Sequence, residues 1–125
     1  MDYKIRLIRY LYYFSLVGLL IIYLFPGSLF GYLFYRDFGH QPYGGTAINH
    51  FIAFFYLSTL GLFSYKTSFN QTAIFLLVLS IVLELSHLII PNRSFQSLDL
   101  FANLLGTLLA IVVIFFYKKL KNGKI

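Results

Sequence analysis

Polar and apolar positions divide this chain into long apolar runs separated by short polar joints. Four windows, residues 8–25, 48–65, 72–90 and 98–117, lack Asp, Lys and Arg almost throughout. Each is close to the ~20 residues that a helix needs to cross a hydrocarbon core of ~30 Å. The pattern predicts an all-α fold, a single domain over residues 1–125 built as a four-transmembrane-helix bundle, antiparallel and up-and-down. Only a short turn around residues 66–71 separates the second and third windows, which makes those spans antiparallel neighbours. The first joint, residues 26–47, is longer and aromatic, with Phe30, Tyr32, Phe34, Tyr35, Phe38 and Tyr43. Such a joint is expected to lie in the interface rather than project into water. Within it, Pro26 and Gly27 end the first helix, and Pro42-Tyr43-Gly44-Gly45 forms a turn that returns the chain to the bilayer.

Composition agrees with a membrane setting. The chain is 59% hydrophobic and 11% charged, with a mean hydropathy of +0.78, too few charges to clothe an aqueous surface. The basic residues are unevenly distributed. Lys4, Arg6, Arg9, Lys66, Lys118, Lys119, Lys121 and Lys124 fall on one side of the predicted spans, and Arg36 and Arg93 on the other. Cytoplasmic segments retain positive charge, so both termini and the Lys66 turn are expected in the cytoplasm. Contact with anionic headgroups then accounts for the net charge of +6, and no nucleic-acid partner is called for. The absence of cysteine excludes disulfides, thiolate ligands and thiol nucleophiles. The basic and apolar beginning imitates a signal peptide, but no small-residue cleavage pattern follows, so the first span is expected to be retained.

The candidate chemistry lies in the last third and at the start of the second span. Glu84 and His87 are three apart on one helical face, ~9 Å and ~4.5 Å from the end of their span. A carboxylate at that depth needs a partner, and His87, His50 and Arg93 are the nearby ones. Pro91 ends the third span, Ser97 is placed to cap the fourth, and Asp99 falls in its first turn, where the helix dipole favours a negative charge. Asp99 and Asn103 are four apart and run into Gly106 and Ala110, a small face expected to pack against span three. The ligand-binding candidates are therefore His50, Glu84, His87, Arg93, Asp99 and Asn103. Span one reads as an anchor with a tyrosine cluster, Tyr10, Tyr12 and Tyr13, at its cytoplasmic margin. Arg36, Asp37 and His40 read as a solvated local cluster.

His50 with Phe51 and Phe54, Glu84-x-x-His87, Pro91-x-Arg93 and Asp99-x-x-x-Asn103-x-x-Gly106 together resemble the VanZ-like family of small bacterial membrane proteins. The resemblance covers roughly residues 48–110. It departs in two places: the Asp-Lys pair that often precedes the span-two histidine is missing, and the usual Glu-x-x-Gln reads Glu84-x-x-His87. What the resemblance implies is a polytopic envelope protein linked to resistance to the lipoglycopeptide teicoplanin.

Three functional classes fit these residues. The leading one is an extracytoplasmic-side polar pocket for an anionic or amphiphilic envelope component, lipid-linked or related to the cell wall, with Arg93 meeting phosphate or carboxylate. An enzyme acting on a lipid-linked phosphate or acyl substrate is the alternative, but no nucleophile motif is present and no catalytic residue is assigned. A structural protein with no ligand is the third. A divalent-metal site from His50, Glu84, His87 and Asp99, whose oxygen and nitrogen donors suit zinc or iron, is a further reading: Glu84-x-x-His87 is a fragment of di-metal sites, but those sites repeat it and this chain has it once. No metal or cofactor is assigned on that basis.

Overall fold

A computed structural model describes residues 2–37, 39, 46–65 and 68–123. The chain order is α1 (Tyr3–Leu24), α2 (Leu29–Tyr35), α3 (Thr46–Ser64), α4 (Phe69–Leu85) with a 3₁₀ turn (Ser86–Leu88) at its end, and α5 (Ser97–Asn122). No strand occurs among the described residues. Four helical spans, Tyr3–Leu24, Ala47–Ser64, Phe69–Leu88 and Ser97–Asn122, are long and apolar enough to cross a membrane. The first and last run past the predicted windows into their basic ends, because Lys and Arg are good helix formers and nothing stops the helix at the edge of the apolar run.

The helix ends follow local chemistry. Asp2 accepts from the Lys4 N–H at 3.2 Å to start α1. Phe25 is extended, as a residue before proline must be, and Gly27 takes φ +102°. The first joint contains a helix that was not predicted: Ser28 accepts from the Gly31 N–H at 3.0 Å and starts α2, which ends at Arg36 in the left-handed region. Gly123, with φ +64°, ends α5 and donates to the Lys119 carbonyl at 2.9 Å. The predicted Pro42 to Gly45 turn, His40 and Lys66 lie outside the described residues.

Packing centres on α3, which touches the other three long helices and makes its longest contact with α5. This corrects the expected neighbour of the small face of α5. A methyl group on Gly106 would run into the Phe51 carbonyl oxygen and come within 3.0 Å of the Phe55 nitrogen, so Gly106 lies on α3 and not on span three. Small residues permit this approach, and Ser58 donates to Thr107 at 3.3 Å farther along the same seam. The core is assembled from Leu57, Leu62, Phe69, Leu76, Ala110 and Ile114 with Tyr12, and a smaller cluster joins Tyr23, Phe54 and Leu83.

The distribution of polarity is inverted relative to a water-soluble bundle. Phe14, Ile89 and Leu120 are at least 80% exposed, whereas Ser58, Ser80, Glu84, Asn103 and Thr107 are fully buried. Polar groups inside and apolar groups outside are what a lipid solvent demands.

Candidate functional site

One end of the bundle gathers polar groups from α1, α3, α4 with its 3₁₀ turn, and α5. His50 enters from the first turn of α3, Glu84 from the last turn of α4, and Asp99 and Asn103 from the first two turns of α5. The His50 ring lies 3.5 Å (Nδ1) from Glu84 Oε2 and 3.9 Å (Nε2) from Asp99 Oδ2. His87 Nδ1 faces Glu84 Oε1 at 3.4 Å. Glu84 is fully buried, Asn103 likewise, and Asp99 is 5% exposed, so these charges are shielded from solvent by the bundle itself.

The connection between α4 and α5 completes the setting. The 3₁₀ turn tightens the end of α4, and Asn92, with φ +59°, turns the chain back toward α5. Gln96, not Ser97, is the residue that precedes α5, and it makes no side-chain cap; Ser97 is already helical. The expected serine cap is therefore replaced. The Gln96 N–H donates instead to Glu84 Oε1 at 3.2 Å, which ties the start of α5 to the carboxylate of α4. Glu84 Oε2 accepts no hydrogen bond among the described residues.

Asn103 fixes the orientation of its neighbours. Its Nδ2 donates to the Ser80 carbonyl at 3.1 Å, which leaves Oδ1 as the acceptor for the Tyr23 hydroxyl at 3.0 Å. His50 Nδ1 lies 3.1 Å from the same Oδ1 and must be the donor there, so in the neutral ring Nε2, the nitrogen nearer Asp99, carries the lone pair. The residue types and their spacing put Glu84, His87, Asp99 and Asn103 at similar depth with His50 as a nearby partner of Glu84, and in the structure these five side chains lie together.

Arg93 occupies a different position. Its Nη2 donates to the Ile22 carbonyl at 2.7 Å and reaches the Tyr23 carbonyl at 3.4 Å, closing the last turn of α1. Burial pulls the Arg93 guanidinium below its ordinary pKa, while Tyr23, Glu84 and Asp99 pull it upward. The arginine thus lies beside the cluster and braces the helix end that borders it. His87 Nε2 also approaches the Tyr23 carbonyl, at 3.2 Å, and its ring stacks on the Tyr23 ring at 5.5 Å.

Tyr23 is the member that sequence reasoning missed. Span one reads as an anchor, yet its last turn contributes a hydroxyl, a ring and a carbonyl to the site, and Tyr23 is only 4% exposed. A lone tyrosine in an aliphatic run at the end opposite the Tyr10 to Tyr13 cluster was the available signal. Residues 26–37 and 39 of the first joint are described. There, Arg36 lies over the Tyr32 ring at 5.3 Å, and Asp37 accepts from the Gly39 N–H at 2.9 Å.

The opposite end of the bundle is built differently. Arg9 donates to the Ser64 carbonyl at 3.0 Å, Lys118 donates to the Leu62 carbonyl at 2.7 Å, and the Tyr13 and Tyr65 hydroxyls hydrogen-bond to each other. Of the tyrosines expected together at the headgroup level, Tyr10 is exposed, but Tyr12 is 4% exposed and packs in the core. A cavity of about 290 Å³ opens there between Tyr12, Tyr13, Tyr65 and Gln71, away from the carboxylates. No family model, no curated protein and no solved structure matches the chain.

Proposed function

We propose that the chain is a VanZ-like integral membrane protein of the bacterial cell envelope, with both termini cytoplasmic and its four spans antiparallel. In this reading His50, Glu84, His87, Asp99 and Asn103 lie beneath the extracytoplasmic surface and receive the polar head of an amphiphilic envelope component. The observation that carries the reading is the convergence of these side chains with Tyr23 at one end of the bundle, from positions up to 80 residues apart in sequence. Pairing of helix ends supports the antiparallel order. Arg9 meets Ser64 at one end, and Tyr23 meets His50 and Asn103 at the other. Basic residues cluster at the first of these ends, in keeping with cytoplasmic retention of positive charge.

Two carboxylates at the centre narrow the ligand. They repel a bare phosphate or carboxylate, so the head they receive offers hydroxyl, amide or ammonium groups, or arrives with a cation between. Arg93, turned toward the Ile22 and Tyr23 carbonyls, acts as a brace beside the site. The link to glycopeptide resistance rests on the resemblance of the His50, Glu84, Arg93 and Asp99 motifs.

The test is teicoplanin susceptibility of bacteria expressing His50→Phe, Glu84→Gln or Asp99→Asn, with the amount of protein in the membrane measured alongside. Each variant is expected to lose the protection given by the parent chain at equal membrane level. Unchanged protection in all three would end the proposal.

A further inference from the structure

We propose that His50, Glu84 and Asp99 hold one divalent transition cation of the zinc type. One donor atom from each of the three lies within 4.8 Å of the other two. Ligand atoms on a tetrahedral ion at ~2.0–2.2 Å stand roughly 3.4 Å apart, so the 3.9 Å between His50 Nε2 and Asp99 Oδ2 needs to close by only about 0.5 Å, and no pair within the 4.8 Å limit by more than about 1.4 Å.

The independent observation is the state of Glu84. Its side chain is fully buried, yet the two oxygens are treated differently. Oε1 takes the Gln96 N–H and faces His87, whereas Oε2, 3.5 Å from His50 Nδ1, accepts no hydrogen bond among the described residues. A buried carboxylate oxygen left without a donor is costly, because its lost hydration is not replaced. A metal ion removes that cost, and the division of labour is that of a one-oxygen ligand anchored through its other oxygen.

The surroundings have the same character. His50 presents the Nε2 lone pair because Nδ1 donates to Asn103 Oδ1, and a ligating histidine ordinarily directs its other N–H to a fixed acceptor in this way. Asn103 is itself held by Ser80 and Tyr23. His87 stays outside the ligand set, clamped between Glu84 and the Tyr23 carbonyl. One imidazole and two carboxylates form a donor set suited to Zn²⁺, Mn²⁺ or Fe²⁺. This inference rests on the same site as the proposed envelope function and supplies the cation through which an anionic head would be received.

The experiment uses the full chain without a histidine tag, in lipid nanodiscs, stripped with EDTA and titrated with Co²⁺ and then Zn²⁺. The expected result is one Co²⁺ per chain with strong visible absorption, displaced by Zn²⁺. Glu84→Gln and Asp99→Asn should each weaken binding at least about tenfold, and Arg36→Ala should not change it. X-ray absorption of the Zn²⁺ form should show one imidazole among oxygen ligands, a reading that holds even if the variants fail to fold. No stoichiometric binding by the parent chain, unchanged affinity in both folded carboxylate variants, or two imidazoles on the metal would overturn the site. Metal binding with no resistance phenotype would leave the cation site standing and remove the envelope reading; protection without metal would do the reverse.

Discussion

His50 and Asn103 meet at 3.1 Å across the seam between α3 and α5, and through this contact the imidazole acquires both its tautomer and its direction. The same amide takes the Tyr23 hydroxyl and donates to the Ser80 carbonyl, so one side chain joins all four long helices. Asn103→Leu removes three polar contacts at once. It should lower stability by roughly 1–3 kcal/mol, mostly through the groups left without partners. Unfolding in mixed micelles checks this, and a variant as stable as the parent would mean that the contact carries no energy.

At Gly106 the backbones of α5 and α3 come into close approach. A Cβ there would strike backbone, which cannot turn aside as a side chain does. Gly106→Ala should therefore destabilise by roughly 1–3 kcal/mol, the usual range for overpacking. Gly18, with open space around it, provides the contrast, and Gly18→Ala should cause no loss. Equal effects of the two substitutions in the same assay would refute the close approach.

Two adjacent lysines should behave differently. Lys118 is 8% exposed, donates to the Leu62 carbonyl and lies over the Phe69 ring, whereas Lys119 is exposed. Lys118→Ala should cost about 1–3 kcal/mol because it leaves a buried carbonyl at the end of α3 without its donor. Lys119→Ala should fall within about 0.5 kcal/mol of the parent. The charge count that oriented the chain treats these two residues alike; a stability measurement should not.

Arg93 closes the last turn of α1 by reaching two carbonyls from a connection some 70 residues away. Arg93→Ala should loosen that turn, seen as faster amide exchange at Phe25, whose N–H bonds to the Ile21 carbonyl. Arg93→Lys should recover only part of the protection, because an ammonium lacks the planar fork. Protection unchanged in Arg93→Ala would show that the arginine serves only the cluster beside it.

The absence of native cysteine makes the topology directly measurable. Asn92→Cys and Asn70→Cys place single exposed thiols at opposite ends of α4, the first in the connection to α5 and the second in the first turn of the helix. In intact cells an impermeant maleimide should label the first and spare the second. The reverse pattern would put the carboxylate cluster on the cytoplasmic side and remove the basis for an envelope ligand.

Much of the fold was legible from one property, the length of the uninterrupted apolar runs, because a helix in lipid must satisfy its own backbone and can end only where polar residues allow. The Glu84 and His87 pair and the Asp99 and Asn103 pair were legible because helical spacing puts residues three or four apart on one face. Tyr23 was not legible. A tyrosine near the end of an apolar helix is common at a membrane surface, and only the rotation of α1 against α3 and α5 turned this one inward. The serine cap failed for a related reason: Ser97 has the right side chain, but the Gln96 N–H had a buried carboxylate to satisfy.

Four apolar helices, their scarce ionisable groups and which of those groups share a helical face can be read directly from the residues in order, since each is a property of a single segment. The tertiary structure alone decided that the small face of α5 lies on α3, that Arg93 turns to the end of α1, and that one oxygen of Glu84 is anchored while the other is left facing His50. Those outcomes depend on how rigid helices rotate and approach until backbone meets backbone at Gly106, and no single segment contains that information.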